Sequence, residues 1–180
     1  MNTFEQAFAV VVGHEGTGDV DPNDPGNWTG GRVGSGTLAG TRFGISAAAY
    51  PAMDIAHLTL ADAQALYRRD YWDRIAGDAL PAPLALLVFD AAVNAGVGTA
   101  ARWLQIAVDT VVDGVIGPAT IAAVNASVTT SGGAALCSEF QARRTTFMAS
   151  LPTWSRFGLG WARRLCALPY QSLQMTVGDP

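Results

Sequence analysis

Residues 1–16 read Met-Asn-Thr-Phe-Glu-Gln-Ala-Phe-Ala-Val-Val-Val-Gly-His-Glu-Gly. Phe4, Phe8, Val11, Val12 and Glu15 recur at helical spacing, which predicts an amphipathic helix of about 13 residues. Glu15 extends the apolar stripe, and Gly16 is the expected stop. The stretch lacks the basic start of a secretion signal and carries Glu5 early, so it reads as part of the folded protein.

Past that helix the composition changes. Residues 16–44 hold nine glycines and two prolines with few large apolar side chains, the composition of a long loop or a short irregular hairpin. Structureless loops of that length are uncommon in compact domains unless they are functional. Helical patterning resumes at Thr59, where Thr-Leu-Ala-Asp resembles a capping box, and Ala63, Leu66, Tyr67 and Tyr71 mark one face. Pro81 and Pro83 precede a helix that buries Leu84, Leu87, Val88, Ala91 and Ala95. Another packs Ala100, Trp103, Leu104 and Ala107. Asp113-Gly114 forms a turn, and Gly117-Pro118 opens a short helix, proline being tolerated in a first turn. Residues 134–149 and roughly 154–168 complete a mainly α fold, with any β structure confined to residues 20–45. Residues 1–80 read as a catalytic lobe and 81–175 as a helical lobe of one compact unit.

The composition excludes several functional classes. All eleven basic residues are Arg, against fifteen Asp and Glu. Nothing clusters positive charge as a nucleic-acid surface requires, and Arg143, Arg144, Arg163 and Arg164 read as a solvated helix face. No apolar run approaches the roughly 20 residues needed to span a bilayer, so no membrane insertion is expected. Cys137 and Cys166 are too few for a disulfide framework or a zinc site and read as two buried, reduced thiols. A zinc protease would repeat His four positions after His14, but Gly18 stands there, so no metal and no cofactor are expected. The run Gly30-Gly31-Arg32-Val33-Gly34-Ser35-Gly36 lacks the spacing of phosphate- or dinucleotide-binding loops and reads as a mobile turn.

The chemistry concentrates on two carboxyls. An acid that ends a hydrophobic helix is partly desolvated, which raises its pKa and suits Glu15 to donate a proton. Asp24, in the polar turn Asn23-Asp24-Pro25-Gly26, is expected to stay ionised. Two carboxyls in opposed environments are what glycoside hydrolysis uses. The alternative is that Glu15 merely ends its helix and Asp24 caps a turn. Trp28, Tyr50, Tyr71 and Trp72 offer faces on which sugars stack, and the Asn94 amide can bind an acetamido group.

The ordered string His14-Glu15-Gly16, Asn23-Asp24-Pro25-Gly26 and Thr41-Arg42-Phe43-Gly44-Ile45-Ser46 resembles the start of glycoside hydrolase family 108, the phage-type N-acetylmuramidases. Leu58-Thr59, Tyr71-Trp72, Phe89-Asp90, Val93-Asn94-Ala95-Gly96 and Leu104-Gln105 extend it in order. Asp113-Gly114-Val115-Ile116-Gly117-Pro118-Ala119-Thr120 resembles the signature of that family's C-terminal predicted peptidoglycan domain. The resemblance implies a lysozyme-like helical fold that cuts the β-1,4 bond after N-acetylmuramic acid in peptidoglycan glycan strands. It makes Glu15 the catalytic acid, with Asp24 and Thr41 orienting water. An insertion, Asn27 to Gly40, separates Asp-Pro-Gly from Thr41 and leaves Thr29 as a rival. The implied setting is a phage or prophage endolysin, a monomer held in the host cytoplasm and released to the wall through a holin. A lytic transglycosylase, or a non-catalytic wall-binding virion component, are the competing expectations.

Overall fold

The computed structural model describes residues 1–13 and 18–175. The chain packs into two units, one formed by residues 8–67 and the other by residues 1–7 with the chain from Arg68 onward. Helix α1 (Thr3–Val12) opens on a reciprocal cap: the Asn2 N–H donates to the Glu5 carboxylate and the Glu5 N–H to Asn2 Oδ1, both at 2.9 Å. It ends earlier than the sequence pattern suggests. Gly13 takes a left-handed conformation (φ 69°) and donates its N–H to the Ala9 carbonyl, closing the helix at Val12 instead of at Gly16. Glu15, which the sequence pattern places on the apolar stripe, lies outside the described residues.

The 8–67 unit is loop-rich, as its glycines require. Its strands β1 (Thr41–Arg42) and β2 (Ile45–Ser46) pair antiparallel across Phe43-Gly44. Both turn residues have positive φ, the signature of a tight primed hairpin turn. Phe43 is a strained choice there; its carbonyl accepts the Tyr67 hydroxyl, and its ring is buried beneath the Arg42 guanidinium. Helix α2 (Leu60–Tyr67) begins with the expected box. The Asp62 N–H donates to Thr59 Oγ1 and the Thr59 N–H returns to the Asp62 carboxylate, which the Thr59 hydroxyl holds below the usual carboxylate range. Tyr67 closes the unit edge-on against Phe8.

The second unit is helical throughout. A π turn (Arg68–Trp72) leads through two short 3-10 turns into α3 (Ala82–Ala95), then α4 (Val97–Ala107), α5 (Pro118–Ser131), α6 (Gly133–Ala149) and α7 (Trp154–Leu173). Every residue from Leu84 to Ala92 is buried, so α3 is the core helix, packed by α4, α6 and α7. Phe4, Trp72 and Phe89 meet edge to face with centroids 5.4–6.1 Å apart, and the Trp72 indole N–H donates to Asp78.

Two polar side chains explain local features that pattern alone does not. Gln105, 1% exposed, accepts the Gly114 N–H and donates to the Asp113 carboxylate and the Val115 carbonyl, tying the Asp113–Thr120 signature to α4. Replacing Gln105 with Leu removes three hydrogen bonds whose partners lie at or near the surface and can turn to water, so the urea midpoint is expected to fall through the loss of the tether alone. An unchanged midpoint would contradict that role. In the last helix, α7 continues to Leu173 although Pro169 cannot donate to the Leu165 carbonyl. Gln141 of α6 donates to that orphaned carbonyl at 2.9 Å, which allows five more residues of helix than the expected end at Leu168.

Two further expectations are corrected. Arg144 is not solvated: it is 1% exposed and paired at 2.6 Å with the fully buried Asp90, to which Arg164 also bonds. Its surroundings are the packed interior of α3, α6 and α7, where a lone guanidinium needs a counter-charge. Nor are both cysteines buried. Cys137 is half-buried, its thiol pushed up to about 11 by burial, whereas Cys166 is exposed. Both are free thiols on the wall of an apolar cavity of about 600 Å³ between α6 and α7. Among the described residues no helix is long and apolar enough to cross a membrane.

Candidate active site

Two sequence candidates of the 8–67 unit, Asp24 and Thr41, converge on one residue that pattern does not single out. Asn27 is completely buried and uses all of its polar groups. Its N–H donates to the Asp24 carbonyl, and its own carbonyl accepts the N–H groups of Ala39 and Gly40. Its side-chain Nδ2 donates to the Asp21 carbonyl at 3.1 Å, and its Oδ1 accepts the Thr41 hydroxyl at 2.6 Å. The chain folds this way because Pro25 starts a single 3-10 turn (Pro25–Asn27) for which Asp24 is the cap, its Oδ1 accepting the Gly26 N–H at 2.8 Å.

Beyond the turn, Trp28 pairs with Leu38 and donates its indole N–H to the Pro22 carbonyl, which fixes a half-buried ring over the turn. Thr41 pairs with Asp19 through two 2.8 Å backbone bonds, so its hydroxyl is set by a ladder as well as by Asn27. Asp24 itself is exposed, and its Oδ2 has no protein partner among the described residues.

The glycine run is an ordered loop. Thr29 and Gly30 donate backbone bonds to Thr37 and Ser35, and Gly36 at φ 77° leaves no room for a Cβ, which would sit 2.3 Å from Thr29 Oγ1. The Thr29 hydroxyl oxygen accepts the Thr37 N–H. Thr29 thus bonds within the loop, and Thr41 bonds to Asn27 at the end of Asp24's turn.

The other candidates fall elsewhere. Tyr50 is half-buried four residues after β2. Tyr71, Trp72 and Asn94 belong to the helical unit. Trp72 is 0% exposed within the Phe4–Phe89 cluster, so the sugar-stacking role expected of it is corrected: neither face of its indole is open. Tyr71 is half-buried, and Asn94 is exposed at the end of α3, its Nδ2 donating to the Asp90 carbonyl.

Comparison with known proteins divides the chain at residue 96, within the helical unit. The family model described as Glycosyl hydrolase 108 matches residues 8–96, which include every candidate above, and the model described as Predicted Peptidoglycan domain matches residues 96–166. A solved structure of Brucella abortus SagA is 30% identical, with a TM-score of 0.77, covering 98% of this chain and 97% of that one. No curated protein sequence matches the chain. A mainly helical lysozyme-like fold, a match to both family models and likeness over nearly the full length converge on one assignment: the chain belongs to the glycosyl hydrolase 108 family and is a peptidoglycan hydrolase.

Proposed function

We propose that the chain is an N-acetylmuramidase that hydrolyses the β-1,4 bond between N-acetylmuramic acid and N-acetylglucosamine. Glu15 protonates the departing glycosidic oxygen while Asp24 and Thr41 orient a water at the anomeric carbon. The observation that carries this proposal is the hydrogen-bonded turn in which Asn27 joins the backbone of Asp24 to the hydroxyl of Thr41. A second carboxylate on a turn that Asn27 ties to an ordered hydroxyl is suited to steering water, and a transglycosylase, which uses none, has no need of it. For Glu15 the support is its place in His14-Glu15-Gly16, inside the residues matched by the family model.

Direct attack by water would invert the anomeric configuration. Trp28, Tyr50, Tyr71 and Asn94 are the glycan-contacting residues of this proposal. A bacteriolytic setting goes with it, as a monomeric phage or prophage endolysin that a holin releases from the host cytoplasm. That setting is carried by family likeness.

The bond cut is tested by reducing the digest of purified peptidoglycan with borohydride and identifying the sugar alcohol. Muraminitol is the expected product. Glucosaminitol would make the enzyme a glucosaminidase, and 1,6-anhydro ends would make it a transglycosylase.

A further inference from the structure

We propose, resting on the hydrolytic function above, that Asn27 is the positioning residue for the nucleophilic water and that it acts by fixing the proton of the Thr41 hydroxyl. The direction of that hydroxyl follows from hydrogen-bond bookkeeping. A backbone carbonyl only accepts, so the Asn27 atom facing the Asp21 carbonyl is Nδ2. The amide cannot then be flipped, and Oδ1 must face Thr41. Because Oδ1 only accepts, the Thr41 hydroxyl is the donor across the 2.6 Å contact. Its proton is committed to Asn27, and toward the site Thr41 Oγ1 can act only as an acceptor.

A water at Thr41 must therefore point one hydrogen at Oγ1. With its other hydrogen on the open Oδ2 of Asp24, a lone pair is left for the anomeric carbon. As the water oxygen bonds to that carbon, the bond to the departing sugar breaks, the Glu15 proton passes to the leaving oxygen, and a water proton passes to Asp24. A threonine free to rotate would instead donate to the water, drawing on one of its two lone pairs and leaving the oxygen less nucleophilic and less fixed in direction. Thr29 is such a case: its oxygen accepts the Thr37 N–H, which leaves its own proton uncommitted.

Asn27 is 0% exposed, so it cannot touch substrate, and its effect has to appear through Thr41. The test is a cycle of Asn27→Leu, Thr41→Val and the double variant. kcat and KM are measured on soluble uncrosslinked glycan strands, with melting temperature followed in parallel. Each single variant is expected to lower kcat by about 10- to 100-fold with KM nearly unchanged, and the double variant to be no slower than Thr41→Val alone. If Asn27→Leu does not fold, Asn27→Asp carries the test. Buried as the neutral acid, it donates to the Asp21 carbonyl as Nδ2 does and its other oxygen still accepts the Thr41 hydroxyl, so kcat should stay within about threefold of the unaltered enzyme even though the melting temperature falls.

Losses that multiply in the double variant, or an Asn27→Asp enzyme as slow as Thr41→Val, overturn the role. Thr41→Val with undiminished kcat removes it while leaving the muramidase function standing. An unaltered enzyme that releases no reducing muramic acid ends removes both.

Discussion

Glu15→Gln is expected to lower the release of reducing ends from peptidoglycan by about 10²- to 10⁴-fold while leaving circular dichroism and thermal unfolding unchanged. The glycosidic oxygen is a poor leaving group unless it is protonated as the bond to the anomeric carbon breaks. Gln matches Glu in size and keeps its hydrogen-bonding outline, but it has no acidic proton to give, so ground-state binding survives and the transition state loses its proton. KM should move little. Asp24→Asn should cost less than Glu15→Gln, because a water can still be oriented in part by Thr41. A Glu15→Gln protein that retains near-full activity would move the acid elsewhere in the chain.

The second large effect is on stability. Asp90 lies at 0% exposure on α3 and answers two guanidinium groups, Arg144 of α6 at 2.6 Å and Arg164 of α7 through its Nε at 2.9 Å. Arg164 is 43% exposed at its side chain and can rehydrate, but Arg144 cannot: it is 1% exposed, and its Nε and Nη1 already lack a partner among the described residues. Asp90→Ala therefore leaves a buried charge without a counter-ion, and equilibrium unfolding in urea is expected to show a loss of about 3–5 kcal/mol. Replacing both members of the buried pair with apolar residues, as in Asp90→Leu with Arg144→Met, should recover most of that loss, because the penalty is the stranded charge. A loss under about 1 kcal/mol for Asp90→Ala would show that water reaches Arg144.

These residues also mark where the sequence is legible and where it is not. Helix starts are readable because their signals are local: Thr59 meets Asp62 three residues on, and Pro118 begins α5 directly after Gly117. Pattern overextends the first helix because two glycines, Gly13 and Gly16, compete as stops, and only backbone conformation identifies Gly13. It cuts the last helix short because Pro169 is a local signal, whereas its remedy, Gln141, sits on another helix. Asp90 and Arg164 are 74 positions apart, and no pattern in either segment announces the pair.

In the site the same rule holds. Asp24 and Thr41 stand out by residue type and order. Asn27 sits inconspicuously at the edge of an insertion, although it carries the bonds that bring the two together. A fully polar side chain beside Pro25-Gly26 and ahead of Trp28 is the available clue, and it is a weak one. Trp72 misleads for the converse reason: an indole looks alike in a glycan site and in a core until its neighbours are known.

Hydrolysis through Glu15 is tested most directly by digesting purified peptidoglycan in heavy-oxygen water with the unaltered enzyme and with Glu15→Gln, then weighing the released fragments. Muramidase action predicts one heavy oxygen at the reducing carbon of N-acetylmuramic acid from the unaltered enzyme and no fragments from the variant. Unlabelled 1,6-anhydro fragments, or labelled fragments in equal yield from Glu15→Gln, would contradict it.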